Sequence, residues 1–300
     1  MYNGIINIHK EAGFTSHDVV AKMRGILGQK KIGHTGTLDP QATGVLPVCL
    51  GSGTKLCDML TDRDKEYVAE LLLGVSTDTQ DTTGQVLAEC PVNCSEEQVQ
   101  GAVMSFVGEY DQIPPMYSAL KVDGKKLYEL ARAGREVERK ARRVSIPEIE
   151  ILAMDLPVVK LRVVCSKGTY IRTLCSDIGD RLGCGGTMKS LVRTAVGRFL
   201  LADAITLGEL EKLKDGNRIG DVVMAVDQFF ADCPALHMEP EFERLLENGN
   251  AIYPNQTLEK KYYAPGKQVR FYFGNGSFAG IYAYQAEQKR YQPVKMFLEH

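Results

Sequence analysis

The chain has 300 residues, 44% of them hydrophobic and 25% charged, with a formal net charge of −2. These are values of a globular protein and exclude a disordered or membrane-embedded one. The length suits a large domain with a small appendage, because single cores seldom grow beyond about 250 residues. No apolar run approaches the roughly 20 residues of a bilayer span, and Met1 to Lys10 lacks the apolar stretch of a signal peptide, so a cytoplasmic location is expected. Eight cysteines scattered through such a chain read as small buried thiols rather than a disulfide framework. Cys90 and Cys94, the tightest pair, lack the second pair or histidine cluster that would complete a zinc site. The pI of 6.3 argues against a surface that is basic all over.

Ile5 to His9 reads as a strand. Ser16 then offers an N-cap for a helix whose apolar residues Val19, Val20, Met23, Ile26 and Leu27 share one face before Gly28. Gly33 to Gly53, rich in Gly, Thr and Pro, fits a long structured loop that runs into a strand at Val45 to Leu50. Tyr67 to Leu73 and Val86 to Cys90, joined by the polar region Ser76 to Gly84, read as an antiparallel pair. Ser95 and Gln98 form a capping-box pattern for a helix toward Val107. Leu127, Leu130 and Ala131 have helical spacing. Further strands are expected at Ile149 to Met154 and Val158 to Cys165, then a helix from about Thr169 to Leu182. Strands in succession with few crossover helices favour an α+β fold. After about Ala231 Tyr and Phe residues, among them Tyr253, Tyr262, Tyr263, Phe271, Tyr272 and Phe273, crowd among glycine-rich turns, which reads as a small all-β module.

One segment is locally cationic. Lys121 to Arg143 holds nine basic residues against four acidic ones. Such a run is either a solvated helix face or a surface for phosphates.

The chemically distinctive segment is GHTGTLDPQATGVLPV, Gly33 to Val48, which sets one carboxylate, Asp39, among three glycines and two prolines. It has neither the Lys-Ser/Thr ending of a P-loop nor the spacing of a dinucleotide fingerprint. By residue chemistry alone Asp39 serves equally as a turn cap before Pro40 or as a reacting carboxylate.

This segment resembles the GHTGxLDPxATGxLP signature of the TruB family of tRNA pseudouridine synthases. Further blocks follow in that family's order: KEYVAELLLG (Lys65 to Gly74), STDTQDTTG (Ser76 to Gly84), IPPMYSALKVDGKKLYELARAG (Ile113 to Gly134), CSKGTYIRTLCSDIGDRLG (Cys165 to Gly183) and LVRTAVGRF (Leu191 to Phe199). The tail more loosely resembles a PUA domain. The resemblance implies an α+β pseudouridine synthase fold with a central, mostly antiparallel mixed sheet over residues 1–230, and a small β-rich PUA-like domain over 231–300. It further implies isomerisation of uridine to pseudouridine at position 55 in the tRNA T-loop, without metal or cofactor, by a monomer whose C-terminal domain grips the acceptor end.

Residue by residue, the resemblance makes Asp39 the catalytic aspartate, acting as nucleophile or base, with Arg172 as its charge partner and Tyr170 as a neighbour supporting the site. Tyr67 becomes the tyrosine that stacks on the target base; a phenol near its ordinary pKa of about 10 is a poor base at neutral pH. His34 becomes the residue that enters the T-loop as the uridine is extruded, against the alternative of a histidine satisfying loop hydrogen bonds. Leu191 becomes a wall of the uracil pocket. The segment 121–143 becomes a mobile thumb whose Lys121, Lys125, Lys126, Arg132, Arg142 and Arg143 suit phosphate contacts, with Gly124 and Gly134 allowing hinge motion. Two alternatives stay open: a non-catalytic binder or folding chaperone of structured RNA, and a synthase acting on another RNA uridine.

Overall fold

The computed structural model describes residues 1–122 and 124–298, so Asp123 of the thumb segment and the last two residues of the tail lie outside the described residues. The chain opens with β1 (Gly4–Lys10), whose alternating Ile6 and Ile8 are buried, and α1 (Ser16–Leu27), closed by Gly28 in the left-handed conformation. The N-cap is Thr15, one residue before the expected Ser16; it forms a capping box with Asp18. Ser16 is buried, and its hydroxyl accepts the Leu38 N–H at 2.9 Å, tying the helix start to the Asp39 loop.

β2 (Ile32–His34) and β3 (Thr43–Leu50) bracket that loop. After α2 (Cys57–Thr61) comes β4 (Lys65–Leu73), with every second residue buried. The expected pairing of this strand with Val86 to Cys90 does not occur. β5 (Val75–Thr77) pairs instead with β6 (Val86–Glu89) in a separate ribbon. The physical reason is burial: all four β6 residues are exposed, whereas both edges of β4 are occupied by strands from the second half of the chain.

Next come α3 (Glu96–Met104), capped by Ser95 and Gln98 as expected, β7 (Gly108–Gln112), and a small hairpin of β8 (Lys121–Val122) and β9 (Lys125–Lys126) leading into α4 (Leu127–Arg132). β10 (Arg142–Ile146) returns to pair with β7. β11 (Glu148–Asp155), β12 (Val158–Cys165) and α5 (Ile171–Arg181) follow at the expected places. β13 (Gly186–Val196) is not among the expected strands, although it is the longest. Two bulges, at Met188/Ser190 and Arg193/Ala195, break its alternation, and so the period-two signal is lost. β14 (Phe199–Leu200) and α6 (Leu207–Asp215) complete this region.

The main sheet runs β1-β3-β13-β4-β12-β11, with β2 and β14 attached to β3 and β13. Every pairing in it is antiparallel except β3 with β13. This is the mixed, mostly antiparallel α+β arrangement expected from the sequence. One cluster joins β1 and β3 to α1 and α6 through Ile6, Ile8, Val19, Met23, Leu46 and Leu210. A second joins β4 and β12 to α3 and α5 through Leu71, Leu161, Val99, Val103, Leu174 and Ile178. The Asp39 loop lies where these two halves meet, and its Leu38 and Ala42 belong to the second cluster.

The tail forms a four-stranded sheet: β15 (Ala235–His237), β16 (Gln268–Tyr272), β17 (Phe278–Gln285) and β18 (Arg290–Met296). It also contains the one-turn α7 (Glu243–Glu247), so the module is β-rich rather than all-β. Its own core includes Leu236, Phe271, Tyr282 and Tyr291. Ile281 and Phe297 pack instead with Phe229, Phe230 and Phe199 under the main sheet. Phe230 spans this seam, with its ring centroid 5.8 Å from that of Phe297 and 6.3 Å from that of Phe278, which also packs against this cluster. Phe230→Ala is expected to destabilise the chain by about 3–5 kcal/mol through the cavity it leaves. Urea unfolding would measure this, and an unchanged midpoint would show that the seam does not hold the module in place.

Candidate active site

The Asp39 loop is fastened from below and from both ends. Thr35 is buried, and its N–H and hydroxyl both donate to the Pro47 carbonyl at 3.2 Å. Gly13 N–H donates to Pro40 O at 2.9 Å. Lys10, the last residue of β1, is buried, and its ammonium donates to the carbonyls of Pro40 at 3.0 Å, Ala42 at 2.6 Å and Glu11 at 3.1 Å. Burial lowers the Lys10 pKa to about 8, opposed by the nearby Asp39 charge and reinforced by Arg193. A backbone rich in glycine and proline is thus held in one shape by side chains from elsewhere in the chain.

Asp39 meets Arg172 in a two-pronged ion pair. Nε lies 2.9 Å from Oδ2, and Nη2 donates to Oδ1 at 3.2 Å. The Arg172 side chain is 5% exposed and that of Asp39 37%, so the pair is anchored in the protein but open on the carboxylate side. The other guanidinium donors are also committed: Nη1 to Thr79 O at 2.9 Å and Nη2 to Tyr117 O at 2.8 Å. Thr79 is fixed in turn because Asp81 Oδ1 accepts its hydroxyl at 2.8 Å and the Thr83 N–H at 2.9 Å. Asp81 Oδ2 also stands 3.9 Å from Arg172 Nε. The STDTQDTTG segment therefore forms a collar around the arginine.

Arg172 reaches this position from the first turn of α5. Tyr170, the N-cap residue, is clamped by Gln112, whose amide accepts the Tyr170 N–H at 2.7 Å and donates to its carbonyl at 2.9 Å. Tyr170 is half-buried, and burial raises the pKa of its phenol.

Tyr67 is reached through the sheet register. Lys10 pairs with Gly44, Gly44 with Arg193, and Arg193 with Tyr67. Paired residues project to the same side of a sheet, so these four form one row across β1, β3, β13 and β4 beneath the loop. Gly44 is required here: its φ is +108°, and a Cβ would lie 2.2 Å from the Arg193 carbonyl oxygen. Tyr67 is buried, and desolvation raises its pKa, partly countered by the Arg193 charge. An upward shift makes the phenol a poorer base at neutral pH. Leu191, two residues from Arg193, belongs to the same apolar cluster as Tyr67.

His34 ends β2 opposite Val48. Its Nδ1 is buried and makes no hydrogen bond among the described residues. Burial lowers its pKa, which favours the neutral ring.

The cationic segment divides. Its root touches the site through Tyr117 O, while Lys121, Lys125 and Arg132 are exposed. Lys126 donates to Tyr128 Oη at 3.2 Å, and Arg132 sits over the Tyr128 ring at 5.5 Å. Arg142 and Arg143 stand on β10 rather than on the hairpin, and Arg143 is paired with Asp111 at 2.8 Å. Gly124 occupies the hairpin turn and Gly134 follows α4, both with positive φ. Among the described residues no cluster of three or more His, Cys, Asp or Glu could hold a metal ion, and no helix is long and apolar enough to cross a membrane.

Sequence reading missed Lys10, Arg193, Gln112 and the Asp81 collar. Lys10 had a legible signal, because it continues the Ile6, Ile8 alternation into a buried position. The folded-state pKa of Lys10 lies below the ordinary 10.5. The unfolded chain therefore holds more protons between about pH 8 and 10.5, and this residue's contribution to stability rises with pH across that window. The stability difference between wild type and Lys10→Met should shift toward wild type from about pH 7.5 to about pH 10 in urea titrations. A pH-independent difference would contradict a lysine that is buried and charged at neutral pH.

Two family models match adjoining parts of the chain. Residues 24–171 match the model described as TruB family pseudouridylate synthase (N terminal domain), and 172–231 that of the tRNA pseudouridylate synthase B C-terminal domain. The tRNA pseudouridine synthase B of Lachnoclostridium phytofermentans is 52% identical, covering 99% of this chain and all of that protein. The protein of the same name from Alkaliphilus oremlandii is 46% identical over 98% of this chain and 97% of its own. A crystal structure of a Cbf5-Nop10-Gar1 complex matches with a TM-score of 0.72 at 27% identity, covering 98% of this chain and 85% of that one. With a site built on the Asp39–Arg172 pair and relatives matched from end to end, the chain belongs to the TruB family of pseudouridylate synthases.

Proposed function

We propose that this chain isomerises uridine to pseudouridine at position 55 in the T-loop of tRNA, with Asp39 as the reacting group. The observation that carries this reading is the Asp39 carboxylate, fixed by a buried guanidinium yet open on one side. A turn cap has no use for such a partner. The names of the full-length relatives supply tRNA as the substrate class.

The reaction breaks the bond between uracil N1 and the sugar and rejoins the sugar to carbon 5. An ionised carboxylate beside the sugar serves either by attacking its anomeric carbon or by removing a ribose proton. Arg172 holds that carboxylate in place. The uridine must first leave the loop stack, and Tyr67 and Leu191 offer the flat and apolar surfaces that compensate lost stacking. A neutral His34 without a hydrogen-bond partner at Nδ1 suits insertion where the base has left. Tyr170 supports the arginine through the start of α5.

The exposed Lys121, Lys125, Arg132 and Arg142, together with Lys126, face RNA phosphates, and Arg143 joins them once it exchanges Asp111 for a phosphate. Residues 1–230 act as the catalytic domain, and 231–300 as a PUA-like module on the acceptor end of the tRNA. The enzyme works as a cytoplasmic monomer.

The test uses purified full-length chain and a T-arm RNA whose uridines carry tritium at carbon 5, which pseudouridine formation releases. Wild type should release it, and Asp39→Asn should slow single-turnover release by about a thousandfold or more. No release by wild type would refute isomerisation of the T-loop uridine, and leave an RNA binder or chaperone or a synthase acting on another RNA uridine. Release by Asp39→Asn at the wild-type rate would refute the role of Asp39.

A further inference from the structure

Arg193 is the largest fully buried side chain among the described residues. Its Nε donates to the Val45 carbonyl at 2.7 Å, but its Nη2 is buried without a hydrogen-bond partner, and no carboxylate of the described residues lies within ion-pair distance of it. The adjacent positions in its row deepen the anomaly. Lys10, a second buried cation, stands on the far side of Gly44, and Tyr67 stands next to Arg193 on β4. Gly36, in the Asp39 loop, has a positive φ, and a Cβ there would stand 3.7 Å from Arg193 Nη1, so the guanidinium lies directly under that loop.

A charge buried without a counter-ion opposes folding, and an arginine needed only to satisfy Val45 O is a costly way to do so. The charge acts on its surroundings: it opposes protonation of Lys10, His34 and Lys65, and, next to Tyr67 in the register row, it partly counters the upward shift of that phenol. The site thus contains a fixed positive potential beside the tyrosine on which a base would rest. When the N1–sugar bond breaks, its electron pair leaves with the uracil, which becomes anionic. The base then turns, carbon 5 bonds to the sugar, carbon 5 loses its proton to solvent, and N1 gains one. Stabilisation of the anionic base is required by either action of Asp39.

We propose that Arg193 is a positioning residue for the isomerisation, holding the Tyr67 phenol under the target base and lending its unpaired charge to the departing uracil anion. The inference rests on the proposed isomerase reading.

It is tested in single-turnover tritium release, with RNA affinity measured in parallel, on Arg193→Met, Arg193→Lys, Tyr67→Phe and the double variant Tyr67→Phe/Arg193→Met. Arg193→Met should slow release by about a hundredfold while RNA affinity stays within about threefold. Arg193→Lys, which keeps the charge, should recover part of that loss. The double variant should be no more than about threefold slower than the slower single, because the two residues act as one unit. Wild-type rates in Arg193→Met, or losses that simply multiply in the double variant, would overturn the proposal. Should Arg193→Met fail to fold by thermal unfolding, Arg193→Lys decides: slower release at unchanged affinity supports it, and a wild-type rate overturns it. Absence of release by wild type itself would instead strike the isomerase reading.

Discussion

The two-pronged contact between Arg172 and Asp39 organises this molecule, because neither partner reaches the other without most of the fold in place. Asp39 arrives on a loop between β2 and β3, and Arg172 from the first turn of α5, 133 residues later. A guanidinium this deeply buried is tolerable only if its donors are satisfied. The carbonyls of Thr79 and Tyr117 supply the acceptors that Asp39 does not. Three segments of the chain therefore converge on the side chain of a fourth, and each corresponds to one of the motif blocks distinguishable in the sequence. The stretch leading into the cationic segment is among them, through the Tyr117 carbonyl.

The sheet supplies the second requirement, a rigid floor. Lys10, Gly44, Arg193 and Tyr67 occupy one register row on four adjacent strands. Glycine at position 44 lets β3 approach β13 closely enough for their short parallel pairing. Lys10 then binds the loop from below by its carbonyls, so the position of Asp39 is set by main-chain hydrogen bonds as well as by its partner. The result concentrates positive charge around one half-exposed carboxylate in a chain whose overall charge is negative.

Much of this was legible in the sequence where the signal was local. The Ser95–Gln98 capping box, the alternation of β12 and the amphipathic face of α1 all appear where their residues place them. Strand pairing was not legible, because it depends on distant partners: β4 pairs with β12 and β13 rather than with the segment that follows it. β13 escaped notice because its two bulges scramble the alternation. Asp39 stood out only as a lone carboxylate in a special loop, and residue chemistry left it between cap and catalyst until family resemblance and then geometry gave it a partner. Lys10 and Arg193 were overlooked because a charged residue in a buried phase of a strand runs against the usual reading of such residues as exposed.

The fork of Arg172, and not merely its charge, holds the Asp39 carboxylate in place. Arg172→Lys keeps a cation but cannot make two parallel bonds to one carboxylate while also reaching Thr79 and Tyr117. Single-turnover tritium release from labelled T-arm RNA by this variant measures the difference directly. A loss of about a hundredfold is expected, with RNA affinity within about threefold of wild type. Release at the wild-type rate would contradict it.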